Sequence, residues 1–206
     1  MAYYLQFDGS NDRVDVTRTT LSGDFKVTVV AFFAATRIAN RPFMTDRNSN
    51  TTTLRTQSND GGRIELRIGS SNGVVSVAVP DVPGQDLVII VSRVGTSLTL
   101  NVNGTTDTVT DSSDFIYDSF GRDNFGNASP MSLKSIEVEN SSSVVIHDYD
   151  PSATNGTGLV LEDTAGTNDG SLSNFSGVTN SWWVFYSVGS VSIPVIMNQL
   201  RNQGIS

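Results

Sequence analysis

The sequence predicts an all-β protein, a sandwich or barrel, and three observations predict it. The dominant hydrophobic period is two: Phe25, Val27, Val29, Ala31 and Phe33 alternate along one stretch, and Ile64, Leu66 and Ile68 alternate with Arg63, Glu65 and Arg67 along another. Turn residues part the apolar stretches at short intervals. Helical periodicity is sparse, and short strands spaced this closely form sandwiches or barrels.

Taken in chain order, residues 24–34 carry apolar side chains on one face and apolar neighbours on the other, which suits a central strand. Residues 63–68 read as a strand with one wet face. Residues 73–79 alternate again until Pro80, Asp81, Pro83 and Gly84 close the strand. Leu87–Arg93 and Ser97–Val102 flank Val94-Gly95-Thr96 and predict a hairpin; the next turn carries Asn103-Gly104, a pair that type I′ turns favour because both central residues need positive φ. Residues 140–180 are loop-heavy, with Asp148, Asp150, Asp163 and Asn168-Asp169-Gly170 punctuating short apolar pieces. Trp182–Tyr186 is a strongly apolar strand candidate. Beyond Gly189, Pro194 is placed to open a short helix with Val195, Ile196 and Leu200 on one side, ended by Gly204. The expected organisation is therefore a sandwich over 1–186 and an extension over 187–206 that docks or oligomerises.

The 206 residues suffice to bury a core without staples. The absence of cysteine excludes a disulfide framework and thiolate metal sites, and suits a reducing compartment. A net charge of −8 repels phosphate backbones, so nucleic acid is not an expected partner. The N-terminus lacks a basic region followed by an apolar stretch, so no signal peptide is expected. The longest apolar run, Leu87–Val91, is strand-sized, so membrane insertion is not expected either.

Four stretches resemble the laminin-G-like jelly-roll family of the wider concanavalin-A-like superfamily. Leu5-Gln6-Phe7-Asp8-Gly9-Ser10-Asn11-Asp12-Arg13-Val14 is similar to its FDGxxDYV strand, with Arg13 where an aromatic is usual; Gly23-Asp24-Phe25 through Phe32 is similar to its GDFTISAWV strand. Leu87 to Gly104 resembles its HVAVTRDGSTLTLYVDG hairpin, and Phe120-Gly121-Arg122 through Val138 its closing strand. A fifth match, His147-Asp148-Tyr149-Asp150 through Asp163 and Asn168-Asp169-Gly170-Ser171-Leu172, stands after the last strand where the family places it before the first. The resemblance thus implies a two-sheet antiparallel jelly-roll sandwich, circularly permuted, in which residues 144–150 and 182–186 pair with strands near the N-terminus.

Glycoside hydrolysis needs two carboxylates flanking the scissile bond. Glu137 and Glu139 have the spacing to share a strand face, but no third acidic residue follows, so they are read as solvated strand residues. His147, the only histidine, has no nucleophile elbow to serve and is read as structural. Calcium is the one candidate cofactor, as some relatives in the superfamily bind it at loop edges; the candidate ligands are Asp163, Asn168 and Asp169, with Asp8 and Asp12 as a second cluster, against the alternative that these side chains cap turns. Sugar binding needs an exposed aromatic beside hydroxyl-bonding side chains, and Phe120, Arg122, Asp123, Asn124 and Phe125 supply that mixture in one predicted loop. Trp182 and Trp183 are adjacent, so strand alternation lets only one enter the core. The other is expected to anchor an interface together with Ile193, Val195, Ile196 and Leu200.

The expected function is a non-enzymatic virion surface protein, a capsid decoration or tail-fibre component, made in the host cytoplasm and attached to other virion proteins or to copies of itself. Binding to surface glycans is compatible with that role. A free carbohydrate-binding module is the alternative, and a glycosidase ranks last.

Overall fold

The computed structural model describes residues 2–49, 51–57, 60–69, 73–153, 157–175 and 182–186. The extension from residue 187, with its expected helix and the interface candidates Ile193, Val195, Ile196 and Leu200, lies outside the described residues. The strands are β1 (Ala2–Gln6), β2 (Arg13–Leu21), β3 (Phe25–Phe33), β4 (Pro42–Thr45), β5 (Thr52–Gln57), β6 (Asp60–Ile68), β7 (Gly73–Ala78) and β8 (Leu87–Val94), then β9 (Ser97–Val102), β10 (Thr105–Thr110), β11 (Phe115–Phe120), β12 (Met131–Glu139), β13 (Val145–Tyr149), β14 (Val160–Leu161), β15 (Gly170–Ser173) and β16 (Trp183–Tyr186). No helix occurs among the described residues.

These strands form two antiparallel sheets. The first runs β10-β9-β8-β3-β12-β1-β16, with β13 also on β12; the second runs β14-β15-β2-β11-β4-β5-β6-β7. As the apolar alternation requires, β3 buries Phe25, Val27, Val29, Ala31 and Phe33 and lies between β8 and β12. Both predicted hairpins form: Val94 pairs with Ser97 across Gly95, and Val102 pairs with Thr105 across Asn103 and Gly104, whose φ angles of 51° and 87° are the positive pair the turn demands. Ring contacts between Phe33 and Phe43 at 5.7 Å and between Phe25 and Phe115 at 5.4 Å join the inner faces of the two sheets.

β13, β15 and β16 are integral to the sandwich. β16 pairs with β1 from Ala2–Tyr186 to Leu5–Trp183, and β15 pairs with β2. The expectation fails for residues 144–150: β13 pairs with β12 and with no N-terminal strand. The cause is the length of β12. On that edge β1 pairs with Ser132 and Leu133, which leaves Ile136–Glu139 open for β13. On the wet face expected of β6, Arg67 is exposed and Arg63 half-buried, but Glu65 departs from it at 2% exposure. It accepts hydrogen bonds from Nε and Nη2 of Arg55 on the neighbouring strand and from Nε of Arg67 on its own.

Candidate functional site

The loop joining β11 to β12 begins at Gly121, where only glycine fits. Its φ is +83°, and a Cβ there would lie 2.4 Å from the Phe7 ring. Gly121 N–H donates to Phe43 O, Ser129 N–H donates back to Gly121 O, and Arg122 bridges Ala128, so the loop closes on itself. Asp123 holds the interior. Its carboxylate accepts Phe125 N–H at 3.0 Å, Asn127 N–H at 2.9 Å and the Asn127 side-chain amide at 2.7 Å. This leaves Asn124, Phe125 and Gly126 exposed at the tip, with Phe125 71% exposed.

The facing wall is the β4–β5 connection. Asp118 on β11 accepts the backbone N–H groups of Arg47 and Asn48 and the Asn48 side-chain amide. Arg47 Nη2 reaches Asp15 Oδ1 at 3.1 Å, and Thr45 Oγ1 donates to Arg122 O at 3.0 Å, tying the two loops together. Between them lies an open depression of 440 Å³ lined by Arg47, Asn48 and residues 122–126. A second notch, between Arg37 and Asp81, measures 10 Å³ and holds no more than a water.

Of the five sugar-binding candidates, Arg122, Asn124 and Phe125 line the depression with exposed or half-buried side chains. Asp123 lines it too, but is 2% exposed with its carboxylate turned onto the loop, so it positions the others. Phe120 is not at the surface. It is fully buried, its ring 6.0 Å from Tyr117 and 5.1 Å from Tyr149. Strict alternation puts residues three apart on opposite faces, but the register shift between Tyr117 and Ser119 restores Phe120 to the core side. Arg47 and Asn48 are additions with no sequence signal; the β4–β11 pairing, Ser119 with Thr45, carries them there.

The calcium ligands do not fit a cation. Asp163 is buried, and its Oδ1 accepts Asp148 and Gly166 N–H while Oδ2 takes Asn168 N–H and the His147 ring nitrogen at 2.6 Å. Burial pushes its carboxyl up, but His147 and the three amides outweigh it and hold the group below the usual carboxylate range. Asn168 is spent on Thr17 and Thr19, and Asp169 accepts Asp163 N–H. The turn-capping alternative therefore describes these side chains, and His147 is bound into the same network. At the second cluster Asp12 accepts Asp8 N–H, and Asp8 accepts Ser10 N–H. Burial pushes the Asp12 carboxyl up to about 6, with the neighbouring Asp8 charge adding to the rise. No group of three or more acidic or histidine side chains suited to a metal occurs among the described residues.

Glu137 and Glu139 alternate with the buried Ile136 and Val138, so they share a strand face; Glu139 is ion-paired with Lys26, and Glu137 stands in register with Asp148 on β13. Both tryptophans are core residues, Trp182 at 8% and Trp183 at 6% exposure, which corrects the expectation that one faces out. Trp182 occupies a turn before β16 begins, where alternation does not apply, and it packs on Phe175; Trp183 Nε1 donates to Gly158 O across the sheet edges.

Among solved structures, a protein from Bacteroides ovatus whose assignment as carbohydrate-binding is provisional superposes with a TM-score of 0.65 at 14% identity, over 84% of this chain and 58% of that one. This chain thus spans little more than half of that protein's length. Mouse laminin alpha1 domains LG4-5 align with a TM-score of 0.47 at 12% identity, over 66% of this chain and 41% of that one. A tailspike protein of an Escherichia coli O157:H7 bacteriophage aligns with a TM-score of 0.41 at 11% identity, over 66% and 26%. No protein-family model matches the sequence, and no curated protein matches it. The fold is an all-β, two-sheet antiparallel jelly-roll sandwich, shared with the Bacteroides ovatus protein.

Proposed function

We propose that this chain is a non-enzymatic glycan-binding jelly roll carried on the surface of a virion, and that the depression between the β4–β5 and β11–β12 loops is its binding site. One observation carries the binding proposal: Phe125, 71% exposed, stands on a loop braced by Asp123 beside the side chains of Asn124, Asn48 and Arg122. An aromatic face with convergent polar groups on a rigid support is what sugar recognition requires. The provisional carbohydrate-binding assignment of the Bacteroides ovatus protein agrees with it. Engagement of Glu139 by Lys26 supports a binding role over hydrolysis.

The test is a glycan array followed by calorimetric titration of the bound sugars. Phe125→Ala is expected to weaken binding about tenfold, the value of one aromatic stacking contact, without lowering the melting temperature. A variant that binds every sugar as well as the parent refutes the site. The virion setting, with other virion proteins or a second copy as partner, is tested by gene neighbourhood: virion structural genes on either side support it, and metabolic genes count against it.

A further inference from the structure

We propose that the depression selects glycans bearing a negative charge, as a uronate carboxylate or a sulfate ester, and that Arg122 reads that charge; this rests on the glycan-binding proposal above. The first ground is that Arg122 is the only lysine or arginine among the described residues whose side chain has neither an ion pair nor a hydrogen bond there. Arg13, Arg18, Arg47, Arg55 and Arg67 are all in ion pairs, and even Arg63, Arg41 and Arg93 are bonded to neutral oxygens. Arg122 is half-buried on the wall of the depression, and its guanidinium has no acceptor among the described residues.

The second ground is how charge is layered around the depression. Asp123 and Asp118 are 2% and 6% exposed, and each carboxylate is turned onto amide donors of the loops. Arg47, across from Arg122, keeps 34% of its side chain exposed, and its Nε donor has no acceptor in the protein. With Arg47 ion-paired to Asp15 through Nη2, Arg122 is the uncompensated charge lining the depression, on a chain whose net charge is −8. A neutral hydroxyl offers a guanidinium one weak acceptor. A carboxylate or sulfate offers two oxygens matched to the planar fork, and such charge-assisted bonds are about twice as strong. Phe125 supplies stacking and the Asn124 amide with Asn48 Oδ1 supplies hydroxyl contacts, so the charge requirement falls on Arg122.

The experiment uses the full chain on an array of neutral, uronate-containing and sulfated oligosaccharides, then titrates matched pairs: oligogalacturonate against its methyl ester, and dextran sulfate against dextran. The charged member is expected to bind about tenfold or more tightly, with a preference that shrinks as salt is raised. Arg122→Gln is expected to erase the preference, by weakening the charged member far more than the neutral one, without lowering the melting temperature, and Arg122→Lys to restore part of it. Phe125→Ala weakens both members equally. Equal binding of charged and neutral sugars, or hits confined to neutral ones, overturns charge selection and leaves glycan binding standing. Failure to bind any sugar overturns both.

Discussion

Asp12→Asn is expected to stabilise the protein at neutral pH and to abolish a fall in stability between about pH 4 and 6. Asp12 is 3% exposed, its Oδ2 accepts Asp8 N–H at 2.8 Å, and its Oδ1 is buried without a hydrogen-bond partner. Burial is the main reason its carboxyl is pushed up to about 6. In the unfolded chain the group ionises near its ordinary value of about 3.9. Between the two values the native state binds more protons than the unfolded state, so stability falls as pH rises through this window and stays at the lower level above it. At about 1.4 kcal/mol per tenfold change in proton affinity, the ionised native form costs about 3 kcal/mol at neutral pH. Asparagine keeps an acceptor for Asp8 N–H and removes the charge, so a gain of about 1–3 kcal/mol is expected. In a chain of this size that raises the melting temperature by roughly 3–9 °C. Calorimetric scans of parent and variant from pH 4 to 8 measure it: the curves should converge near pH 4 and separate above 6. Curves that stay parallel across the whole range, or a variant less stable at pH 7, would refute the argument.

Three further outcomes follow from contacts described above. Gly121→Ala should cost about 2–4 kcal/mol in denaturant melts, from left-handed strain and collision with Phe7, and should weaken glycan binding because the loop is displaced. Asp163→Ala should cost about 3–5 kcal/mol, since it strands buried amide donors; because the native carboxyl is held below its usual range, its contribution is present above about pH 4 and lost on further acidification, opposite in sign to Asp12. Calcium and chelator should leave the melting temperature unchanged, because the Asp163 oxygens already have four protein donors; a rise with calcium would show that a cation displaces them.

The elements legible in the sequence were those whose neighbours along the chain decide the outcome. The alternation of β3 and the turn chemistry of Gly95 and Asn103-Gly104 are local, and all three formed. Errors arose where one residue breaks the period. The irregularity between Tyr117 and Ser119 carries Phe120 inward, and the turn at Trp182 frees it from alternation. Neither has a residue signature. Half of the candidate site was readable because Arg122, Asn124 and Phe125 share one loop. Arg47 and Asn48 reach it only through a pairing of strands more than seventy positions apart in the chain, which nothing in Asp46-Arg47-Asn48 announces. Glu65 was read as solvated for the same reason, since its partner Arg55 lies on another strand.

The pairing of β16 with β1 has a consequence for how the domain is made. The first sheet gains its last described strand only when residues 183–186 are available to meet residues 2–6, so one of its registers closes over nearly the whole described length. Such closure carries a larger entropic cost than closing the local hairpins β8-β9-β10. Until then β1 offers an unpaired edge carrying Tyr3, Tyr4 and Leu5, a template for pairing with another nascent chain. Synthesis halted before Trp182 would strand the protein in that state, so aggregation during expression should track premature termination more steeply than it tracks the stability of the finished fold.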